Sequence, residues 1–435
     1  MRLFPSIAVG WIPTNYKWVK EKLSWINFFK IRVSQGSVGN DKIQGTGRFP
    51  YLTLVNTGNS PIWGSTIPTE TVNEQVVGAD NLVWERAIKT NIGIDSKFFK
   101  DKISLSVDFF NDQRNGIFWQ RAQVPDYVGL ISVPYGNTGK MRSYGADGTI
   151  SFSQEISKNM GFTIRGNYTY SRSMVQNWEQ VYLEHPYLEN TGFPNGVIRG
   201  YHALGLFKDE DDVKYSADQS ALGGLRMPGD IKYKDTNGDG RITELDMVPL
   251  SYGNKHPLLM YGFGGEFRYK SLSVGVLLKG TGKSEYFRMG TGNDPGYDPF
   301  NHEDYGNVLS IVADPRNRWI PRDYALAHGI PVELAENPNA MFPRLNLGVN
   351  SNNTQLSDFW KGDSQYLRLQ EITVNYNIKG KALKKAGISS LNLQLIGTNL
   401  YTWDKVKLFD PEQATRNGRV YPLPTTFSLQ LYINL

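Results

Sequence analysis

Apolar and polar residues alternate with a period of two along most of the chain, and helical periodicity is scarce. Ile103, Leu105, Val107 and Phe109 alternate with Ser104, Ser106 and Asp108. Phe162, Ile164, Gly166, Tyr168 and Tyr170 alternate with Thr163, Arg165, Asn167 and Thr169. Leu391, Leu393 and Leu395 oppose Asn392 and Gln394, and Phe427, Leu429, Leu431, Ile433 and Leu435 oppose Ser428, Gln430, Tyr432 and Asn434. Successive side chains of a strand point to opposite faces, so each run predicts a strand with one greasy face and one polar face. The pattern predicts eleven strands, at 4–12, 28–39, 83–99, 102–119, 141–156, 160–178, 258–270, 272–287, 366–379, 391–403 and 427–435.

A soluble sandwich and a membrane barrel both make such strands, and the connections separate them. Turns at Lys100-Asp101, Ser157-Lys158-Asn159 and Lys270-Ser271 are tight, and the joins at 13–27 and 380–390 are modest. Between them lie long excursions at 40–82, 120–140, 179–257, 288–365 and 404–426. Strict short-long alternation gathers every long loop at one end, as in outer-membrane barrels with short periplasmic turns and long extracellular loops. A compact soluble domain has no reason to keep such loops. The expected class is therefore all-β, a portion of an antiparallel transmembrane barrel with strand 427–435 running down to the periplasm. Eleven is odd, and bacterial single-chain barrels close with an even number, so sequence beyond this chain and two unpaired edge strands are expected.

Composition sharpens this picture. Charged residues are 20% and hydrophobic ones 40% of the 435, with 24 Tyr, 21 Phe and 10 Trp, too aromatic for a disordered chain. No stretch approaches the roughly 20 apolar residues of a membrane helix, so any span must be made of strands. The net charge of +5 is small, and Lys and Arg are scattered, so nothing points to nucleic acid. Zero Cys excludes thiol catalysis and disulfides. Met1-Arg2-Leu3-Phe4-Pro5 lacks the apolar core of a signal peptide, so an exported protein would need residues upstream. Trp84, Trp119, Trp178 and Trp403 fall at the loop side of the predicted strands, the place of an aromatic girdle; buried core aromatics are the alternative.

One loop carries chemistry. Asp235, Asn237, Asp239, Gly240, Ile242 and Asp246 reproduce an EF-hand-type spacing, with side-chain oxygens at positions 1, 3, 5 and 12 and glycine at 6. Position 7 would contribute the Arg241 carbonyl and position 9 Thr243, through water. Asp246 is shorter than the usual Glu, as in dockerin loops. All-oxygen ligation suits a structural Ca²⁺, which would order an excursion with little apolar material of its own; a solvated turn is the alternative. Asp209-Glu210-Asp211-Asp212 reads as a solvated acidic run rather than catalytic carboxylates, and no catalytic residue is assigned. The five His lack metal-binding spacing, and Gly262-Phe263-Gly264-Gly265 precedes no helix that could cradle phosphate. Tyr286, Phe287, Tyr297, Phe300 and Tyr305 are placed either to stack on sugars or to pack the loops.

Several segments resemble, in order, the SusC/RagA-type TonB-linked transporters. They are Phe4-Pro5-Ser6 leading to Gly10-Trp11, Lys30–Asn40, Trp84-Glu85, Gly205-Leu206-Phe207, Pro228–Ile242, Tyr366-Leu367-Arg368-Leu369 and Gly397–Trp403. The resemblance spans nearly the whole chain (1–435), with 179–257 as its long calcium-loop excursion. It implies a 22-stranded outer-membrane barrel facing lipid, of which about 11 strands are here. It further implies an N-terminal plug, absent here, TonB as the energy source, a SusD-like surface lipoprotein and a glycan or peptide substrate, without enzymatic activity. The other classes kept open are a secreted glycan-binding or glycan-degrading β-protein with a dockerin-like loop, and a passive porin or adhesin.

Overall fold

The computed structural model describes residues 3–42, 49–59, 70–79, 81–124, 126–130, 132–224, 226–252, 256–288, 308, 310–346, 350–407, 409–413 and 421–435. Eleven long strands form one sheet in chain order. They are β1 (Ser6–Trp11), β2 (Ile26–Asn40), β3 (Glu85–Phe98), β4 (Ile103–Gln120), β5 (Tyr135–Ser157), β6 (Met160–Asn177), β7 (Leu259–Tyr269), β8 (Leu272–Gly282), β9 (Tyr366–Ile378), β10 (Ser390–Asp404) and β11 (Thr426–Asn434). Every register described among them is antiparallel. The eleven predicted strands are thus present, and β1 and β11 stand at the two ends of the order as expected. No described helix is long and apolar enough to cross a membrane.

The short connections hold their expected places. β7 and β8 meet through a two-residue turn in which Lys270 adopts φ +53°. Phe99, Lys100 and Asp101 between β3 and β4 are all left-handed, and Trp25 stacks on Phe98 and Phe99 to cover that turn. The two modest joins fold into short helices, Lys17–Lys22 and Lys381–Lys385.

Two compact units divide the chain: residues 1–156 with 161–195, and residues 157–160 with 196–435. In the first, register places Ile7, Val9 and Trp11 of β1, Ile31 and Val33 of β2, Ile92 and Ile94 of β3, and Val107 and Phe109 of β4 on one face. In the second, Phe267, Val274, Val374, Leu395 and Leu429 are successive neighbours across five strands, as are Tyr269, Leu272, Tyr376, Leu393 and Leu431. These residues are not a buried core. Ile103, Leu105, Val107, Phe162, Ile164, Leu391, Leu393 and Leu395 are each half-exposed or exposed, which removes the sandwich alternative and matches a lipid-facing surface.

Two expectations are corrected. The strand expected at 272–287 ends at Gly282, because Lys283 turns left-handed at φ +51°. Glu285–Phe287 then pairs with Lys361–Asp363 in a separate hairpin. Excursion 179–257 does not lack apolar material: Tyr201, Leu206, Ile231, Tyr233, Ile242 and Leu250 join Phe287, Val312, Trp319, Phe342 and Trp360 in the main buried core of the second unit. Packing orders this loop, so a metal ion is not needed as a substitute for a core. Of the loop aromatics, Tyr286 and Phe287 are buried packing residues, while Tyr297, Phe300 and Tyr305 lie outside the described residues.

Candidate functional site

The polar face of the first unit carries a charged ladder. Arg32 lies opposite Gly93, and Asp95 and Asp108 occupy neighbouring positions on β3 and β4. The guanidinium bridges both acids, 2.7 Å to Asp95 and 2.9 Å to Asp108, and Ser106 donates to Asp95 at 2.8 Å. A Cβ at Gly93 would stand 2.7 Å from both the Arg32 guanidinium carbon and an Asp108 carboxylate oxygen, so glycine clears the path along which the side chain crosses β3. At the long-loop end of the same face lies a cavity of about 540 Å³, lined in part by Trp84, Glu85, Arg114 and Trp119.

On the polar face of the second unit the guanidinium of Arg368 is buried, opposite Lys279 on β8 and Thr402 on β10. All three of its nitrogens are used: Nε donates to Thr402 at 2.9 Å, Nη1 to Glu412 at 3.0 Å, and Nη2 to both oxygens of Asp410 at 2.6 and 2.7 Å. Lys279 reaches Glu412 at 2.9 Å. The loop segment around Pro411 is thereby fastened to two strands. Sequence reasoning passed over Asp410 and Glu412; the only signal was acidic residues flanking a proline in an otherwise irregular stretch.

The loop core is tied together by a buried polar knot. Asp230, fully buried, accepts hydrogen bonds from Met227 N at 2.9 Å, Asn353 Nδ2 at 2.8 Å and Asn350 Nδ2 at 3.2 Å, and pairs with Arg344 at 2.8 Å. Gln219 donates to Ile231 O and Asn352 Oδ1 and accepts from Tyr233 N. Buried polar groups are tolerable only when satisfied in this way. Gly229 has φ +88°, and a side chain there would strike Trp319 at 2.3 Å, which accounts for the Pro228-Gly229-Asp230 run. The acidic run is structural too: Asp209 caps the helix Glu210–Tyr215 and Asp212 pairs with Lys232 at 2.7 Å. Burial pushes the Tyr201 hydroxyl up to about 12, with the Glu244 and Asp246 carboxylates adding to it.

The EF-hand-type residues occupy one turn docked on this core. Asp235 accepts from Gly238 N at 2.7 Å and Gly240 N at 2.8 Å, the two glycines having φ +80° and +81°. Asn237 Oδ1 accepts from Asp239 N at 3.1 Å, and Asp239 accepts from Arg241 N at 2.8 Å. Asp246 is fully buried and accepts from Thr236 N at 2.7 Å, Asn237 N at 3.3 Å and Thr243 N at 2.8 Å, while Thr243 completes the capping box of Glu244–Asp246. Ile242 N donates to Asp218 O at 2.8 Å and Asp218 N to Gly240 O at 2.9 Å, fixing the turn to its neighbour. Among the described residues no three His, Cys, Asp or Glu side chains are gathered as an ion cage.

Of the four tryptophans, Trp403 pairs with Leu367 on the apolar face and is half-exposed, as a girdle residue should be. Trp119 packs on Trp178, with ring centroids 4.0 Å apart, and Trp84 and Trp119 line the cavity instead.

The comparisons with known proteins agree with this architecture. A family model described as TonB dependent receptor-like, beta-barrel matches residues 2–243. TonB-dependent receptor P26 of Formosa agariphila is 24% identical, over 99% of this chain and 42% of that relative. TonB-dependent receptor SusC of Bacteroides thetaiotaomicron is 21% identical, over 98% of this chain and 39% of its own length. Among solved structures, the RagAB peptide importer in its open-open state is similar with a TM-score of 0.72 and 17% identity, over 99% of this chain and 42% of that one. The chain therefore spans about two-fifths of the length of the relatives it matches.

Proposed function

The chain belongs to the TonB-dependent receptor-like β-barrel family and so to the outer membrane, and from this we propose that it forms part of the wall and outer loops of a SusC/RagA-type importer. The cargo is a glycan or peptide oligomer, captured with a SusD-like lipoprotein and moved with energy supplied through TonB. One observation carries the reading: in each unit the strands pair an apolar face with a polar one, which bears Arg32, Asp95 and Asp108 in the first and Lys279 and Arg368 in the second, the two-sided chemistry of a wall with lipid on one side and water on the other. With the short turns periplasmic the long excursions would face the cell exterior, and the folded core within them is suited to hold a partner or cargo in a fixed pose. SusC and the RagAB peptide importer lend the partner and the two cargo classes. The test is in-frame deletion of the coding region in the host, followed by uptake of labelled oligosaccharide and peptide pools. Loss of one pool's uptake, restored by the intact gene, is expected; undiminished uptake of both refutes import.

We propose as a second reading that the turn 235–246 takes Ca²⁺ through Asp235, Asn237, Asp239, the Arg241 carbonyl and Thr243. The spacing supports it, and each oxygen keeps a lone pair beyond its backbone bond. Asp246 is the weakest donor, being engaged by three N–H groups. Ca²⁺ would add to a turn already formed, so calorimetric titration of the full-length protein should show binding that Asp239→Ala abolishes. No heat in either protein refutes the site.

A further inference from the structure

The 540 Å³ cavity of the first unit has the size of a small-ligand site, and its wall combines two kinds of surface. Register sets the polar one. Asn40 lies opposite Glu85, and Arg114 lies opposite Ala87, on the same face of neighbouring strands. Asn40 Nδ2 donates to Glu85 at 3.2 Å, Glu85 stands 3.9 Å from Arg114 Nε, and the Arg114 side chain is 53% exposed, leaving donors for a ligand. The second surface is flat and apolar. Phe118 and Tyr135 stack at 5.5 Å with 17° between their planes, and Trp84 stays half-exposed although Phe4 stacks on it. The buried Trp119 Nε1 finds no acceptor among the described residues. The wall is preformed, because Asn137 accepts from Val83 N at 2.9 Å and donates to Val83 O and Gly116 O, both at 2.8 Å.

Three properties select the ligand. The charged groups of the described lining balance, with Asp41 and Glu85 against Lys42 and Arg114, so among the described residues neither an anion nor a cation is favoured. A carboxylate beside a guanidinium presents acceptor and donor together, the complement of a vicinal diol. Flat aromatic surface suits a ring with an apolar C–H face. Capture of an extended peptide by strand addition is closed here, because β2, β3 and β4 are each paired on both sides.

We propose that this cavity is a binding subsite for a neutral saccharide, with Glu85 and Arg114 holding ring hydroxyls and the aromatic wall taking the sugar face. The inference rests on the import reading only for how the sugar arrives. Intrinsic tryptophan fluorescence of the full-length protein in detergent, titrated with maltoheptaose, cellohexaose, mannohexaose and xylohexaose, tests it, with a tryptic casein digest and chondroitin sulfate oligosaccharides as competitors. Saturable change with at least one neutral probe is expected, weakened about tenfold or more by Glu85→Gln and by Arg114→Gln, and unaltered by Trp403→Phe in the other unit. The proposal is overturned by silence from all four neutral probes, by tighter saturation with the digest or the sulfated chains, or by unchanged affinity in both variants. Binding in detergent needs no TonB, so retained binding with absent cellular uptake would count against import and leave the subsite standing.

Discussion

Removing Asp410 should cost more than removing Glu412, although both pair with Arg368. The guanidinium is 1% exposed, Asp410 is 15% exposed and Glu412 is 36% exposed. Breaking a buried ion pair by deleting one partner typically costs about 3–5 kcal/mol, because the survivor is left uncompensated. In Asp410→Ala, Arg368 keeps Glu412 and Thr402, so the lower end, about 3 kcal/mol, is expected. Glu412→Ala removes a solvent-screened partner and should cost about 1 kcal/mol. Arg368→Met leaves Asp410 without its cation, yet Arg368→Met with Asp410→Ala removes both charges, so the double variant should be less destabilised than the sum by about 2 kcal/mol. Hydrogen exchange of peptides covering 409–413 in the detergent-solubilised protein reads the local opening directly, and repeating it in 1 M salt should erode the Glu412 effect alone. Additive costs in the double variant, or equal exchange in Asp410→Ala and the parent, would refute the claim that the buried guanidinium fastens this segment.

On the sheet, Leu393→Lys should destabilise folding into vesicles by about 2–4 kcal/mol while Asn392→Lys, one residue away on the polar face, is tolerated; urea titration of the folded band on a gel separates them, and equal effects would contradict the facial assignment. Ile231→Ala empties a fully buried position and should cost about 2–5 kcal/mol, seen as faster protease cleavage within 200–252 with the strands still protected. Asp218 is held down to about 2 by the Ser220 hydroxyl, Arg226 and the Ser220 backbone N–H, against an ordinary 3.8. Its folded pKa is depressed, so its contribution is present above about pH 4 and lost as pH falls toward 2; Asp218→Asn should flatten that part of the acid profile of loop protection, weakly, since the group is half exposed. Lys270→Gly should relieve a left-handed residue worth about 1 kcal/mol and raise the urea midpoint; a lower midpoint would show that the lysine side chain, not the backbone, sets this turn.

The strands were legible because a membrane wall repeats a single rule at every position. Each residue must face either lipid or the polar side, so alternation persists from Ile103 to Phe109 and from Leu391 to Leu395 without tertiary information. The rule fails where β5 begins, at Tyr135 rather than near 141. Residues 135–140 include Gly136 and Gly139 and do not alternate; they are strand because Gly116, left-handed at φ +68°, shifts the register and lets Phe118 and Trp119 pair with them. The loop core was illegible for the opposite reason. Ile231, Ile242, Trp319, Phe342 and Trp360 sit in short irregular segments with no period, and what assembles them is distant, such as the bond from Tyr201 N to Leu356 O at 2.8 Å.

Asp246 shows how one residue supports two readings that spacing cannot separate. Counted from Asp235 it stands at position 12 of an ion loop, where a carboxylate closes the coordination sphere. Counted from Thr243 it stands at the third position of a capping box, where a carboxylate turns back to the cap backbone. The residues are the same, and only burial and hydrogen bonding distinguish the roles. The structure gives Asp246 no exposure and three backbone donors, one of them Thr243 N at 2.8 Å, so it secures the turn whether or not an ion binds. That makes the two roles separable by experiment. Asp246→Asn would put an amide nitrogen among groups that are all donors, leaving at least one buried N–H without an acceptor at about 1–3 kcal/mol, and should loosen the turn in chelator and in Ca²⁺ alike. Asp239→Ala removes an exposed carboxylate that caps only Arg241 N and accepts from Asn237, and in chelator it should be nearly silent. If Asp246→Asn were harmless in chelator and damaging only when Ca²⁺ is supplied, the carboxylate would be a ligand first, and its assignment as the internal clasp of the loop would fail.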